Sequence, residues 1–322
     1  MKFFLSVDWG TSAFRVRLIE TINKSVLAEI KTDQGIAATF EKWRQINQPE
    51  ENRIAFYQSY LFEQVEKIAD MFNDSLDNTF IILSGMASSS IGMLELPYKE
   101  LPFHCDGSDL LLHTIPAIHK NVSYKIVIIS GVRSQTDVMR GEETILAGCD
   151  VVKDNRQQLF IFPGTHSKHI IINNNIAQNI TTFITGELFD LLSNKSILSA
   201  SLKKNDPGDI SNDAYFADGV KKGASTNILN SIFQVRINHL FKTASAQQNY
   251  QYLSGLLIGY ELKETGKIKP GLITLVGSEA LENVYIKALT ILGLDDHLVC
   301  RNAAEALING QLKIMQQAGY FL

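Results

Sequence analysis

A turn of small and polar residues near the start of the chain, Asp8-Trp9-Gly10-Thr11-Ser12, is the first segment whose residue types could do chemistry. Glycine lets backbone N–H groups approach phosphate oxygens closely, and the hydroxyls of Thr11 and Ser12 can add donors. A nearby carboxylate can hold Mg²⁺, usually through water because this ion dehydrates reluctantly. We therefore expect Asp8 to hold Mg²⁺ through water, and Gly10, Thr11 and Ser12 to bind phosphate.

A second turn with glycine, hydroxyl donors and a cation lies about 154 residues later and comprises Gly164-Thr165-His166-Ser167-Lys168. This turn has no acid, because Phe162 stands where Asp8 stands in the first turn. The two turns are therefore not equivalent. We assign the metal to the first turn and further phosphate binding to all five residues of the second.

The densest polar stretch covers residues 130–144 and follows a predicted buried strand. Open α/β sheets bind ligands at the carboxyl ends of their strands, so Asp137 could accept a proton from a substrate hydroxyl as a general base. Glu142 and Glu143 open the next helix, where acids also complement the helix dipole; we favour that role for Glu143 and keep Glu142 as the reserve base. Arg140 could bind a substrate carboxylate in a forked geometry or pair with one of these glutamates.

Both turns lie at the same point of a predicted strand–turn–strand–turn–strand meander. The predicted strands of the two meanders are 3–8, 14–20, 26–30, 159–162, 170–172 and 176–183. Any two meanders resemble each other, but the shared Gly-Thr pair and an offset near half the chain length favour a duplicated domain.

We therefore predict an α/β protein of two duplicated ribonuclease-H-like domains, the superfold of actin, hexokinase and sugar kinases, with a cleft between them. The N-terminal domain is predicted over 1–148 and the C-terminal domain over 149–322, and a closing helix over 302–318 could pack back on the first domain. A single helix is predicted over 214–243. A buried strand opens through Gly277 and Ser278 into a helix, which is where adenosine packs in this fold, although a plain strand–helix turn has the same pattern.

The bulk composition excludes several classes of partner. The chain has 322 residues, of which 45% are hydrophobic and 20% charged, an ordinary balance for a globular core. The net charge of −4 argues against nucleic-acid or anionic-membrane partners, but not against nucleotide binding. Cys105, Cys149 and Cys300 lack CxxC spacing, and no apolar run approaches the length of a membrane span. We expect a reduced, cytoplasmic protein, and a homodimer is left open.

Five motifs taken together resemble the 2-dehydro-3-deoxygalactonokinase family, and they occur in family order at residues 8–12, 137–144, 163–168, 185–188 and 253–259. The runs DVMRGEET and PGTHSK are the most specific of these. The resemblance implies the actin/hexokinase-like fold, with ATP and Mg²⁺ as cofactors. It also implies phosphorylation of the 6-hydroxyl of 2-dehydro-3-deoxy-D-galactonate or a close 2-keto-3-deoxy sugar acid.

The expected substrate contacts include one departure from the family. The predicted substrate-binding residues are Arg15, Ser84, Gly85, Met86, Ser89, Ser90 and Arg140. The family usually continues its Ser-Gly-Met run with an arginine and a tryptophan, and Ser90 and Met93 stand at those positions here. Loss of an arginine–carboxylate contact costs about 1.5–3 kcal/mol, enough to shift the preference between sugar acids.

Two other functions remain open at this point. A phosphohydrolase of the same superfold, such as an exopolyphosphatase, could use an acid of Gly141-Glu142-Glu143 to orient water, and it would release phosphate without any sugar. An ATP-binding actin-like assembly protein would sediment in the presence of ATP and show little sugar-dependent turnover.

Overall fold

The computed structural model describes residues 2–72, 74–152, 155–204, 213–268 and 270–320. The chain forms two compact units. The first contains Met1–Lys153, Asn175–Ile180 and Ala303–Leu322, and the second contains Asp154–Asn174 and Thr181–Asn302. Each unit combines a β-sheet with α-helices, so the chain is of the α/β class.

Strands and helices follow one another along the whole chain. The strands are β1 (Phe3–Trp9), β2 (Phe14–Glu20), β3 (Val26–Thr32), β4 (Thr79–Gly85), β5 (Lys99–Glu100), β6 (Phe103–His104), β7 (Leu112–His119), β8 (Val122–Ile129), β9 (Val132–Arg133), β10 (Val138–Met139), β11 (Gln158–Phe162), β12 (Ser167–Asn173), β13 (Ile176–Phe183), β14 (Leu272–Gly277) and β15 (Leu298–Asn302). The helices are α1 (Ile36–Ile46), α2 (Arg53–Asp70), α3 (Glu142–Gly148), α4 (Thr185–Lys195), α5 (Asp213–Ser225), α6 (Ile228–Leu240), α7 (Ala246–Ile268), α8 (Glu279–Ile291) and α9 (Ala303–Gln317). Short 3₁₀ turns lie at Glu50–Asn52, Met86–Ser88 and Ser199–Ser201. Within the described residues, no helix has both the length and the apolar character needed to span a bilayer.

The described residues form a small sheet of order β10-β9-β5 and two six-stranded sheets, and the two larger sheets follow one plan. The first has the strand order β3-β2-β1-β4-β8-β7, in which β1, β2 and β3 form an antiparallel meander and β1, β4 and β8 run parallel. The second begins β15-β14-β11-β12 and continues with β13; β12 is antiparallel to β11, and β14 and β15 run parallel to it. This repetition confirms the duplicated ribonuclease-H-like fold that the two Gly-Thr meanders predicted.

Aromatic packing in the first unit holds the end of β1. The Trp9 side chain is fully buried, and its ring centroid lies 5.0 Å from that of Phe14 and 5.5 Å from that of Tyr57 on α2. Its indole N–H donates to the carbonyl of Gln34 at 3.2 Å. These contacts fix the point at which the chain leaves the strand and enters the Gly10 turn.

Helix α9 crosses α3 within the first unit at very short range. A Cβ atom added at Gly148 would lie 1.8 Å from the carbonyl oxygen of Ala306, and one added at Gly310 would lie 1.8 Å from that of Thr144. No real Cβ could fit at these distances, so both positions require glycine.

Gln311 ties α9 to two strand ends of the first unit. Its side chain is fully buried, and its amide nitrogen lies 3.2 Å from the carbonyl oxygen of Val7 and 3.1 Å from that of Ile82. The same nitrogen lies 2.9 Å from the hydroxyl oxygen of Ser84. The carboxyl ends of β1 and β4 are therefore held together from the α9 side.

Helices α5 and α7 make a similar crossing in the second unit. Cβ atoms added at four glycines would lie only 2.1–2.2 Å from carbonyl oxygens of the facing helix. These glycines are Gly219, Gly223, Gly255 and Gly259. The backbones are in direct contact, so no side chain separates the two helices along this line.

The single helix expected over 214–243 was wrong. The structure divides this segment into α5 and α6. Asn227 caps the second helix, because its side-chain oxygen accepts from the backbone N–H groups of Leu229 at 3.0 Å and Asn230 at 3.4 Å. Apolar periodicity continues across the break, so periodicity alone could not reveal it.

Candidate active site

Strand register brings three of the predicted site residues side by side in the first unit. Asp8 is the penultimate residue of β1; it is paired with Arg15 on the antiparallel strand β2 and with Ser84 on the parallel strand β4. Directly opposed residues on neighbouring strands are close enough for their side chains to interact. The sheet therefore places an acid, a cation and a hydroxyl at one edge.

The electrostatic environment of Asp8 combines two opposing effects. Burial raises the pKa of the Asp8 carboxyl, and the positive charges of Arg15 and Arg17 lower it. Arg17 is paired with Glu29, whereas Arg15 Nε is buried without a hydrogen-bond partner in the described structure and lies 3.9 Å from a Glu29 oxygen. Burial therefore makes the Asp8 carboxyl harder to ionise, and a nearby cation would favour its ionised form. The Arg15 guanidinium has one N–H donor that a ligand could use.

Helix α1 supports the first turn from behind. The carbonyl oxygens of Gly10 and Thr11 accept from the first two N–H groups of the helix, at 2.9 and 3.1 Å. A Cβ at Gly35, just before the helix, would lie 2.3 Å from the Thr11 carbonyl oxygen. The side chains of Thr11 and Ser12 remain exposed. The Gly10 N–H, which was predicted to bind phosphate, donates instead to the Ala13 carbonyl at 2.9 Å. The turn is therefore held through its backbone groups, and its hydroxyls are accessible to a ligand.

Two glycines with positive φ meet beside Asp8. Gly85 has φ of 86°, and a Cβ there would lie 2.9 Å from the Trp9 carbonyl oxygen and 3.6 Å from Asp8 Oδ1. Gly141 has φ of 109°, and a Cβ there would lie 3.4 Å from Gly85 Cα. Only glycine adopts such backbone conformations without strain. The start of α3 is therefore brought to the ends of β1 and β4.

The donor set beside Asp8 fits Mg²⁺ held largely by water and ligand phosphates. Within the described residues, no group of three or more His, Cys, Asp or Glu side chains could hold a metal ion. Mg²⁺ typically uses one or two carboxylates and keeps several waters. A Cβ at Gly85 would lie 3.6 Å from Asp8 Oδ1 but only 2.9 Å from the Trp9 carbonyl oxygen, so glycine at this position keeps the backbone close to the Asp8 carboxyl.

The two glutamates at the start of α3 differ in burial. Glu143 is 1% exposed; both its carboxylate oxygens accept from the Gly141 N–H at 2.8 Å, and one accepts from the Thr144 hydroxyl at 3.1 Å. Burial, with a smaller effect from Glu142, raises the pKa of Glu143 to about 8. Glu142 is partly exposed and accepts from the Arg140 backbone N–H at 3.1 Å. Glu143 therefore stabilises the Gly141 turn, and Glu142 faces the more accessible side.

Asp137 lies in the hairpin between β9 and β10. Its Oδ1 accepts from the Val138 N–H at 2.8 Å, and its own N–H donates to the Ser134 hydroxyl at 2.8 Å. The carbonyl of Asp137 also accepts from the Ser134 N–H at 2.8 Å. This residue therefore helps to form its own turn.

The Arg140 guanidinium holds the loop that follows β4. It donates to the carbonyl oxygen and the hydroxyl of Ser88 at 2.6 and 2.7 Å, and to the Tyr98 hydroxyl at 3.0 Å. Its central carbon also lies 3.9 Å from the centroid of the Tyr98 ring. These contacts fix the loop that contains the predicted substrate residues Ser89 and Ser90.

Two further features of this loop were not anticipated from the sequence. Arg53, at the start of α2, donates to the Ser90 carbonyl at 3.0 Å and pairs with Glu50 at 2.7 Å. Met93 is fully buried in the hydrophobic core of the first unit. A guanidinium therefore lies next to Ser90 after all, although it comes from 37 residues earlier in the sequence. Met86, also predicted to bind substrate, is partly buried against the same core.

The second turn is held through its serine. Ser167 is fully buried, and its hydroxyl oxygen accepts from the Gly164 N–H at 3.3 Å. Thr165 and His166 are exposed, and Lys168 is buried with its ammonium group donating to the His166 carbonyl at 3.2 Å. A Cβ added at Gly164 would meet no atom within 4 Å. The Cα of Gly164 therefore faces open space, whereas its N–H is already used by Ser167 within the turn.

The Gly277 turn lies next to this second turn. Strands β11 and β14 are parallel neighbours, so the segments that follow them leave the sheet at the same edge. A Cβ at Gly277 would lie 3.7 Å from Pro163, which immediately precedes Gly164. Ser278 is exposed at the start of α8. Within the second unit, strand geometry thus brings together the residues predicted to bind phosphate and those predicted to border adenosine.

Comparison with known proteins gives consistent matches over most of the chain. The sequence profile of 2-keto-3-deoxy-galactonokinase matches residues 8–314. The 2-dehydro-3-deoxygalactonokinase of Escherichia coli (strain K12) is 33% identical over 237 residues, which cover 71% of this chain and 76% of that protein. A crystal structure from Sinorhizobium meliloti, assigned the same enzyme name, has a TM-score of 0.79 at 27% identity and covers 99% of this chain and 100% of its own. The Clostridium difficile activator of 2-hydroxyisocaproyl-CoA dehydratase, solved with ADPNP, shares the fold at a TM-score of 0.50 and 10% identity, over 98% of this chain and 96% of its own.

Proposed function

We propose, because this chain belongs to the 2-keto-3-deoxy-galactonokinase family, that it transfers the γ-phosphoryl group of ATP to a 2-keto-3-deoxy sugar acid. The acceptor would be the 6-hydroxyl of 2-dehydro-3-deoxy-D-galactonate or of a close relative. The observation that carries the proposal is the family match over residues 8–314, which includes both glycine turns. Phosphoryl transfer depends mainly on positioning and charge neutralisation, and both turns offer donors suited to that task.

Each glycine turn is assigned its own phosphate donors. In the N-terminal domain, residues 1–148, these would come from the turn at 10–12, chiefly the exposed hydroxyls of Thr11 and Ser12, with Asp8 holding Mg²⁺ through water. In the C-terminal domain, residues 149–322, the turn at 164–168 would bind phosphates while Gly277 and Ser278 border adenosine. Mg²⁺, when bound with ATP, neutralises charge on the phosphates. Burial is the larger effect and raises the pKa of Asp8 despite the two arginines, so a bound cation would favour the ionised carboxylate that this assignment requires.

The general base is assigned to one of two acids. Glu142 follows Gly141, which contacts Gly85 beside Asp8, so it belongs to the segment that reaches the metal-binding edge. Asp137 lies in the hairpin before this segment and helps to form its own turn. These contacts favour Glu142, with Asp137 as the alternative. A positioned base is typically worth about 10²–10⁴ in rate.

The sugar acid would be recognised by the loop at 84–90 together with Arg15. Arg140 holds this loop through Ser88, so it would act on the substrate by positioning the loop. The carboxylate of the acid would need a cation, and Arg53 lies at the Ser90 backbone. We assign Arg53 to the role that an arginine at position 90 would otherwise serve.

The family match favours a kinase over the phosphohydrolase and the actin-like assembly protein. A cytoplasmic location is part of the proposal: the three cysteines are free thiols, which agrees with a reducing compartment. The homodimer stays a prediction.

The deciding experiment is ADP production from Mg-ATP in the presence of a panel of 2-keto-3-deoxy acids and simple hexoses. We expect a sugar acid to stimulate turnover well above the rate with ATP alone. If none does so, the proposed function is wrong, and phosphate release without any sugar would indicate the phosphohydrolase instead.

The same assay assigns the base. Glu142→Gln should lower kcat by at least about 10²-fold with little change in ATP binding, whereas Asp137→Asn should have a smaller effect. The reverse order would return the role to Asp137.

A further inference from the structure

A buried carboxylate in the second unit has no part in the roles described so far. Glu261 lies on α7 and is 1% exposed. One of its oxygens lies 3.0 Å from Nε2 of His169; the other accepts from the hydroxyls of Thr185 and of Tyr285, the latter at 2.9 Å. Removing a carboxylate from water is costly unless its oxygens are hydrogen-bonded. Three partners from three different elements converge to satisfy this one.

The first connection leads from the carboxylate to the second glycine turn. The Tyr285 hydroxyl lies 3.1 Å from the Ser167 hydroxyl, whose oxygen accepts from the Gly164 N–H at 3.3 Å. The Tyr285 hydroxyl donates its one hydrogen to Glu261, so its oxygen accepts from the Ser167 hydroxyl. Burial and the nearby Glu261 charge raise the pKa of Tyr285 well above its usual value. The phenol therefore keeps its proton, and the chain of donors runs in one direction.

The second connection reaches the same turn from the side of α4. Thr185, which donates to the carboxylate, is the first residue of that helix. A Cβ at the next residue, Gly186, would lie 2.5 Å from the Gly164 carbonyl oxygen. The Glu187 backbone N–H then donates to the Thr165 carbonyl at 3.0 Å. The motif at 185–188 thus packs against the turn, and its backbone holds the turn by a hydrogen bond to Thr165.

We infer that Glu261 is a positioning residue that sets the conformation of the turn at 164–168 from both sides. The inference rests on the proposed function, because that turn is assigned there to the phosphates of ATP. Backbone donors stabilise phosphate charge most effectively when they are held in place before the ligand arrives. Loss of a connection should therefore weaken the binding of ATP and leave the binding of the sugar acid nearly unchanged.

Tyr285→Phe tests the first connection, and Tyr252→Phe is its matched control. Both tyrosines are buried in the second unit, at 2% and 1% exposure, but the Tyr252 hydroxyl donates to the Ser231 carbonyl at 3.3 Å. We expect Tyr285→Phe to raise the Kd of Mg-ATP in calorimetry, and the KM for ATP, by roughly 3- to 10-fold. The KM for the sugar acid should stay within about twofold. The control should change neither constant, although it removes the same kind of group.

A double-mutant cycle with Glu261→Leu tests whether the residues act together. Leucine is close to glutamate in size but has no acceptor, so the links with Thr185 and Tyr285 are both lost. If the two substitutions act through one connection, the double variant should bind ATP much more tightly than the sum of the single effects predicts. Fully additive effects would contradict the inference.

The outcomes separate the two proposals. In one outcome, a sugar acid stimulates turnover of the wild-type enzyme, but Tyr285→Phe and Tyr252→Phe have the same Kd for Mg-ATP and the same KM for ATP. This result would overturn the positioning role alone. No sugar-stimulated turnover, but ATP binding that Tyr285→Phe weakens and Tyr252→Phe does not, would overturn the proposed function and support the positioning role. Loss of thermal stability in Tyr285→Phe without any change in ATP binding would show that the network only stabilises the fold.

Discussion

Exchange of Glu143 for glutamine should remove a pH dependence of unfolding that this buried carboxyl group imposes on the first unit. In the folded protein, burial raises the pKa of Glu143 to about 8 from an ordinary value of 4.5. Between these two values the folded state keeps a proton that the unfolded state has released. The contribution to stability is therefore fully present below pH 4.5 and is lost as the pH rises towards 8.

The expected magnitude follows from the linkage between proton binding and folding. Each pH unit in this window is worth about 1.36 kcal/mol per proton. Glu143 should therefore lower the free energy of unfolding by about 2 kcal/mol between pH 6 and pH 8, where the folded group begins to ionise. Glu143→Gln has no proton to release. Between pH 6 and pH 8 its free energy of unfolding should therefore decrease by about 2 kcal/mol less than that of the wild type.

Tryptophan fluorescence gives a selective assay for this effect. The chain has two tryptophans, Trp9 and Trp43, and both lie in the first unit together with Glu143. Urea titrations at pH 6, 7 and 8 would give the free energy of unfolding of that unit. Glu279→Gln, an exposed acid in the first turn of α8, is a control that should follow the wild type. If the free energies of unfolding of wild type and Glu143→Gln change with pH by the same amount to within about 0.5 kcal/mol, the burial argument is refuted.

Three further predictions concern a helix crossing, the substrate loop and the metal site. Gly255→Ala should lower the midpoint of thermal unfolding by several degrees because its Cβ would lie 2.2 Å from a carbonyl oxygen of α5. By contrast, Gly266→Ala on the same helix, with nothing within 4 Å, should be neutral or stabilising by up to about 1 kcal/mol; circular dichroism would compare the two. Arg53→Ala should raise the KM for the sugar acid by about 10-fold, a loss of about 1.4 kcal/mol, without changing the KM for ATP; steady-state kinetics would check this, and equal changes in both constants would contradict it. Asp8→Asn should lower kcat by at least about 10²-fold and raise the Mg²⁺ concentration needed for half-maximal rate, and an unchanged Mg²⁺ titration would remove Asp8 from the metal site.

Features that depend on local sequence were predictable. The strands β1 to β3 and β11 to β13 follow from alternating apolar residues and from the polar turns between them. The turn at Asn174 and Asn175, both with positive φ, is of the kind that asparagine favours. The two Gly-Thr turns therefore lie between the strands where the alternation of apolar and polar residues predicts them.

Features that depend on contacts between distant segments could not be predicted. The sequence marks Gly35 as an ordinary turn glycine and Gly85 as a substrate-binding residue. Both positions require glycine because of backbone atoms elsewhere in the first unit. Arg53 reaches Ser90 only because α2 begins beside the loop after β4. Glu261 has the sequence context of a helix residue, and its burial depends on partners from β12, α4 and α8.

The glycine contacts between α5 and α7 have a consequence for how this sequence can change. A clash between two side chains can be relieved by shortening either one, but the atoms facing Gly219, Gly223, Gly255 and Gly259 are carbonyl oxygens of the main chain. No exchange on the opposite helix can remove them, so a larger residue at any of the four has no compensating partner. In a library that randomises both helices, these four positions should return to glycine independently of one another, while their apolar neighbours should covary.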